Sequence, residues 1–146
     1  MTSPLTFSLI EDQDVDTVIS LWTRCDLVVP WNDPHRDISF ARAQPNSDVL
    51  VGRHGSAIVA SVMVGHDGHR GNVYYVSVDP DAQGRGLGKQ VMDAATDWLK
   101  DKGVWKLNIM VRGTNTKVVG FYENIGAKRE DRAVLAQWLE TPPTAP

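Results

Sequence analysis

The chain has 146 residues, 42% of them hydrophobic, with 15 Lys and Arg against 18 Asp and Glu for a net charge of −3. This composition fits one ordinary globular domain, argues against disorder, and lacks the basic excess a general nucleic-acid binder would show. The single Cys25 excludes an internal disulfide, and no spaced set of Cys and His makes a zinc framework.

Thr6 to Ile10 reads as a short strand with Leu5, Phe7 and Leu9 on one face. Acidic Glu11 to Asp16 supplies helix-start chemistry, and Val15, Val18, Ile19 and Trp22 follow at helical spacing to an end near Cys25-Asp26. Asp33-Pro34 is an N-cap followed by an N1 proline, opening a shorter helix to about Arg42 that Pro45 stops. The period then changes. Val49–Val51 and Ala57–Val64 are β-rich runs around His54-Gly55-Ser56, a hairpin signature. His66-Asp67-Gly68-His69-Arg70-Gly71 forms a second turn cluster before a third strand, Val73–Val78, which Asp79-Pro80-Asp81 breaks.

From Leu87 to Lys102 the pattern is helical again, with Leu87, Val91, Ala94 or Ala95, Trp98 and Leu99 on one side and Gly103 as its C′ glycine. Trp105–Val111 reads as a strand and Asn115–Asn124 as a helix ended by Gly126. Val134–Leu139 completes the order as a last strand. The expected architecture is a mixed α+β layer fold occupying residues 1–140, with a disordered proline-rich tail at 141–146. Trp22, Trp98, Trp105 and Trp138 are expected to pack core or sheet faces. No apolar run approaches the roughly 18–20 residues of a membrane span, and Met1–Phe7 lacks the basic and apolar regions of a secretory signal. The expectation is a soluble, cytoplasmic protein without membrane partners.

Three glycines fall at alternate positions, Gly84, Gly86 and Gly88, between a strong strand and a strong helix. They strip side chains from the helix entrance, where first-turn N–H groups have no intrahelical partners and an anion is the natural occupant. Arg85 and Lys89 add positive charge, and no acidic residue lies between Asp81 and Asp93. A Walker A loop needs four residues between its glycines, and only three separate Gly84 from Gly88. The dinucleotide fingerprint needs a glycine where Lys89 stands. Both failures disfavour a nucleotide-phosphate binder, which leaves a plain flexible turn before a helix or an anion loop of another kind.

Read as Gln83-x-x-Gly86-x-Gly88, the segment resembles the signature loop of the GNAT superfamily of acyl-CoA-dependent N-acyltransferases. A second run, Asn115-Thr-Lys-Val-Val-Gly-Phe-Tyr-Glu-Asn-Ile-Gly-Ala127, is similar to that family's N-x-x-A-x-x-F-Y-x-x-x-G-F pattern. Asn115, Phe121, Tyr122 and Gly126 match, whereas Val118 and Ala127 are apolar substitutions. The specific part of the resemblance spans Val73 to Ala127. The runs Asp26-Leu27…Pro30-Trp31-Asn32-Asp33 and Asp67–Gly71 further resemble a small bacterial YpeA-like subgroup, a resemblance that implies no particular acceptor.

The resemblance implies a mostly antiparallel central sheet flanked by helices, with a splayed parallel strand pair that binds CoA. It implies that Gln83, Gly84, Arg85, Gly86, Leu87, Gly88 and Lys89 hold the pyrophosphate, with Asn115 also contacting CoA. Pantetheine would pair with backbone groups of Val76, Ser77 and Val78 as an added strand does. A strand amide would polarise the thioester carbonyl. Tyr122 would then protonate the departing thiolate, unless it is only a helix aromatic packed on the sheet. The implied reaction moves acetyl from acetyl-CoA to the primary amine of a small molecule or peptide, directly and in a ternary complex, with no metal. A non-catalytic acyl-CoA sensor and a protein N-terminal acetyltransferase are the alternatives.

Acceptor binding is expected from Cys25–Asp33, where Asp26, Asn32 and Asp33 would attract an amine and Trp31 would close over its carbon chain, together with Tyr75. Trp31 as a plain core cover remains the alternative. Candidates for the base are His66, Asp67, His69, Tyr75 and Asp33, each with an ordinary structural role as the alternative, and a solvent relay is equally open. Cys25, a small thiol at a helix end, is not read as a nucleophile. Trp138 and the sheet edge near the C-terminus are compatible with a homodimer without requiring one.

Overall fold

A computed structural model describes residues 4–144; residues 1–3, the start of the run read for a signal, and 145–146, the end of the expected tail, lie outside them. β1 (Thr6–Leu9) leads through a 3-10 turn at Asp12–Asp14 into α1 (Val15–Arg24) and α2 (Pro34–Arg42). β2 (Ser47–His54), β3 (Ala57–His66) and β4 (Gly71–Val78) follow as a meander. A 3-10 turn at Pro80–Ala82 then precedes α3 (Leu87–Asp101), β5 (Leu107–Asn108) and α4 (Thr116–Asn124). The sheet order is β1-β2-β3-β4-β5, antiparallel except for the parallel β4–β5 pair. This is the mixed α+β fold the residues imply, with the mostly antiparallel sheet that the resemblance implies.

The local signals act as their chemistry dictates. Asp33 accepts hydrogen bonds from the amides of His35 and Arg36, and Pro34 stands at N1 of α2. Gly55, at φ +62°, turns the β2–β3 hairpin with His54 opposite Ala57. The two faces of the sheet carry separate cores. Val18 and Trp22 of α1, with Ile38 and Ala41 of α2, pack on Val49 and Val51. On the other face Val91, Met92, Ala95 and Leu99 of α3 and Tyr122 of α4 pack on Val62, Val64 and Val73. Leu5 and Phe7 join this second core as expected, but Leu9 projects to solvent.

Two expectations are corrected. The strand expected at Trp105–Val111 is paired only at Leu107–Asn108, because β5 meets β4 at just two positions. Val134–Leu139 forms no strand: it has no ladder partner, and the chain around it is held by side-chain ion pairs, Lys106–Glu130 at 2.7 Å and Arg36–Glu140 at 2.6 Å. A strand needs backbone partners, and here Leu135 and Leu139 face water. Accordingly Trp22 is fully buried and Trp98 half-buried, whereas Trp105 and Trp138 are exposed rather than packed. No helix among the described residues is long and apolar enough to cross a membrane.

Candidate active site

β4 and β5 pair at Gly71–Leu107 and Asn72–Asn108 only. Beyond this point β4 runs on to Val78 without β5 alongside it, so the sheet splits and the edge of β4 from Val73 onward has no strand partner on that side. Val76 and Val78 of β4, with Ile109 and Val111 after β5, are half-buried around the same apolar cluster as Tyr122. Ser77 points elsewhere: it is buried, and its Oγ donates to the carbonyl of Ser61 at 3.1 Å, leaving only its backbone for a ligand.

The glycine loop lies where β4 ends. Asp79 caps the 3-10 turn by accepting from the amide of Asp81 at 2.9 Å, and it pairs with Arg24 at 3.0 Å. The amide of Asp81 and the Arg24 guanidinium hold its carboxyl below the usual range against the opposing effect of burial. Gln83 Nε2 donates to the carbonyl of Val78 at 3.2 Å, tying the loop to the strand. Gly84 and Gly86 take φ of +81° and +75°, and no side chain caps α3 at Gly86. The helix therefore opens on backbone N–H groups with no side-chain acceptor. Gly88 answers a different need. A Cβ there would lie 3.0 Å from Phe121 Cζ, so its absence lets α4 close on α3. Leu87 is buried, Arg85 is exposed, and Lys89 is exposed and paired with Asp93 at 3.0 Å.

α4 carries the remaining residues of this side. Asn115 caps it, accepting from the amide of Val118 at 3.4 Å. Phe121 and Tyr122 meet edge to face with ring centroids 5.0 Å apart. Tyr122 is only 8% exposed, and burial pushes its phenol above the ordinary value, which keeps it an acid.

The expected acceptor residues lie on the α1–α2 side. Asp26 is exposed at φ +59°, Trp31 is half-buried, and Asn32 is exposed. Asp33 is spent as the cap of α2. The ring of Tyr75 stacks on Trp22 at 3.9 Å with 4° between planes, and its hydroxyl donates to Asp37 Oδ2 at 2.6 Å. Burial first, and then the Asp37 carboxylate, raise the Tyr75 phenol far above its ordinary value. A phenol held protonated in this way accepts no proton near neutrality. Tyr75 and Tyr122 belong to opposite cores, one on each face of the sheet.

The other base candidates fare no better. Asp67 caps the β3–β4 turn by accepting from the amides of Arg70 at 2.8 Å and His69 at 2.9 Å, which holds its carboxyl below the usual range. This turn, with His66 and His69, stands at the start of β4, about 23 Å of strand from its end at the glycine loop. The residue missed by sequence reasoning is Asp37; Cys25, read as a plain thiol, donates its Sγ–H to the carbonyl of Val78 at 3.3 Å. The i, i+4 spacing from Asp33 was the available signal for Asp37. Among the described residues no group of three His, Cys, Asp or Glu is placed to hold a metal ion.

A sheet split between parallel strands, with an uncapped helix entrance beside it, is the arrangement that the resemblance to the GNAT family implies. Residues 15–127 match the Acetyltransferase (GNAT) family, and the chain belongs to that family of N-acetyltransferases. A protein of Yersinia enterocolitica named as an acetyltransferase is 41% identical over 131 residues, which cover 90% of this chain and 93% of that one. Among solved structures, AAC(6')-Iy in complex with the bisubstrate analogue CoA-S-monomethyl-acetylneamine superposes with a TM-score of 0.79 at 14% identity, covering 93% of this chain and 99% of that one. The ribosomal-protein-alanine N-acetyltransferase of Brucella melitensis superposes at 0.73 and 17% identity, covering 93% and 100%. At these identities the two structures share the fold.

Proposed function

We propose that this protein transfers acetyl from acetyl-CoA to the primary amine of a small molecule or peptide, by direct attack in a ternary complex within one domain spanning residues 1–140. The observation that carries the reading is the split between β4 and β5 leading to the uncapped start of α3. An extended pantetheine can complete the free edge of β4 at Val76–Val78 while the pyrophosphate of the same CoA meets the amides from Gly84 to Lys89. Asn115 lies at the start of α4, with its amide nitrogen left for the ligand. The CoA-derived analogue bound by AAC(6')-Iy supports the cosubstrate.

The chemistry follows from these positions. The neutral amine attacks the thioester carbonyl, a strand amide takes up the developing oxyanion charge, and the C–S bond breaks. The thiolate receives the phenolic proton of Tyr122, and the surplus proton of the attacking amine passes to solvent, which reprotonates Tyr122, since Tyr75, Asp67 and Asp33 are committed elsewhere. A small-molecule acceptor is supported by AAC(6')-Iy and a peptide acceptor by the ribosomal-protein enzyme. The deciding experiment titrates acetyl-CoA, ATP and NAD calorimetrically, then follows CoA release over a panel of amines and peptides. Binding of acetyl-CoA with turnover of one acceptor class is expected. Binding of ATP without acetyl-CoA would refute the reading, and acetyl-CoA binding with no turnover across the panel would favour a sensor.

A further inference from the structure

Tyr75 has φ +54°, a left-handed backbone conformation that is costly for a bulky aromatic residue. It sits at an irregularity of the β3–β4 ladder: Ser61 faces Ser77 and Met63 faces Tyr74, so Tyr75 and Val76 together oppose the single Val62. This is a bulge, a device that re-aims the strand beyond it. Strain of this kind persists only where the surroundings over-determine it, and it concentrates at functional sites. Here the surroundings are plain. The Tyr75 ring lies parallel on Trp22, which is fully buried, and the hydroxyl is anchored to Asp37 of α2. Clamped at both ring and tip, Tyr75 cannot relax to an extended φ without breaking the stack and the hydrogen bond.

The bulge includes Val76 and leads directly into Ser77–Val78, on the stretch of β4 that has left β5 and has no strand partner on that side. We propose that Asp37 is a positioning residue for acetyl transfer: acting through the Tyr75 hydroxyl, it holds the β4 bulge that aims the following backbone amides at the thioester carbonyl. The inference rests on the acetyl-CoA reading above and adds to it a residue on the opposite face of the sheet from Tyr122. Asp37 touches neither substrate; its effect is transmitted by one phenol and one backbone turn.

The test uses acetyl-CoA labelled with carbon-13 at the carbonyl, bound to the full-length protein, and reads the C=O stretch by isotope-edited infrared spectroscopy. A preorganised donor lowers this frequency on binding, and no acceptor is needed. Asp37→Ala and Tyr75→Phe should lose more than half of the wild-type shift while acetyl-CoA affinity changes by less than about threefold. Asp37→Asn keeps an acceptor for the hydroxyl and should retain most of the shift. With an acceptor in hand, the first two variants should lower kcat by about tenfold or more and leave the KM for acetyl-CoA near wild type. The double variant should be no worse than either single one, because both break the same link.

If the clamp only packs α2 on the sheet, thermal stability falls while the carbonyl shift stays at its wild-type value, and the proposal is overturned. Additive losses in the double variant would also overturn it, since Asp37 would then act apart from Tyr75. Failure of the wild-type protein to bind acetyl-CoA is a separate result, which removes the underlying reading and the proposal with it.

Discussion

Two phenols stand on opposite faces of the sheet, Tyr122 buried and Tyr75 half-buried. Burial raises the pKa of Tyr122, so the phenol keeps its proton across the neutral range, as the proposed acid requires. Tyr122→Phe keeps the ring and removes the proton. It should lower kcat by about 10²–10⁴-fold with acetyl-CoA affinity unchanged, measured by steady-state CoA release and calorimetry. Both phenols also set an alkaline limit on stability. Their folded pKa values lie above the unfolded value near 10, so their contribution is complete below about pH 10 and is lost as pH rises through the folded values. Denaturant unfolding between pH 9 and about 11 should therefore show falling stability, with a shallower fall in Tyr75→Phe.

At the scale of elements, the start of α1 and the contact between α3 and α4 are the sensitive points. Asp14 is 5% exposed, accepts from the amide of Glu11 at 3.0 Å, and pairs with Arg53 of β2 at 2.8 Å. Burial opposes its ionisation, but the Glu11 amide and the Arg53 guanidinium outweigh it and hold the carboxyl below the usual range. The resulting stability is present above the unfolded pKa near 4 and is lost as pH falls through the folded value. Asp14→Ala should cost about 1–3 kcal/mol at neutral pH in chemical denaturation, with the difference from wild type shrinking in acid. Gly88→Ala acts elsewhere. Its methyl must push Phe121, the neighbour of Tyr122, by a few tenths of an ångström. It should cost about 1–3 kcal/mol in stability and lower kcat more than acetyl-CoA affinity, checked by thermal melts and steady-state kinetics.

For the whole molecule, a net charge of −3 argues against a long polyanion as partner but not against a short one. The entrance of α3 concentrates backbone N–H groups and Arg85 at one small notch, whereas Lys89 shares its charge with Asp93 in an exposed pair of little net worth. Arg85→Glu adds a negative charge at a residue outside the positive-φ positions and should weaken acetyl-CoA binding by about tenfold or more, with the loss reduced at high salt. Lys89→Ala should change affinity by far less. A carboxylate at Gly86 would be a poorer probe, because φ +75° makes any side chain there strained.

Periodicity, caps and turn glycines were enough to place α1 to α4, the β2–β3–β4 meander and the glycine loop, because each depends on contacts within a few residues. The same local chemistry marked Asp33 as a helix cap, whereas the capping role of Asn115, read as the first residue of its helix, emerged only from the structure. Three features had no local signal. The shortness of β5 and the missing strand at Val134–Leu139 depend on which edge a segment meets, and a β-rich pattern is silent on that. The left-handed turn of Tyr75 contradicts its own propensity and exists only because Trp22 and Asp37, 53 and 38 positions away in sequence, clamp it. Sequence alone thus determined the four helices, the meander and the glycine loop, whose chemistry is carried by adjacent residues. The tertiary structure decided where the sheet splits, which tyrosine stands on which face, and what holds the unpaired end of β4, since those depend on packing between distant parts of the chain.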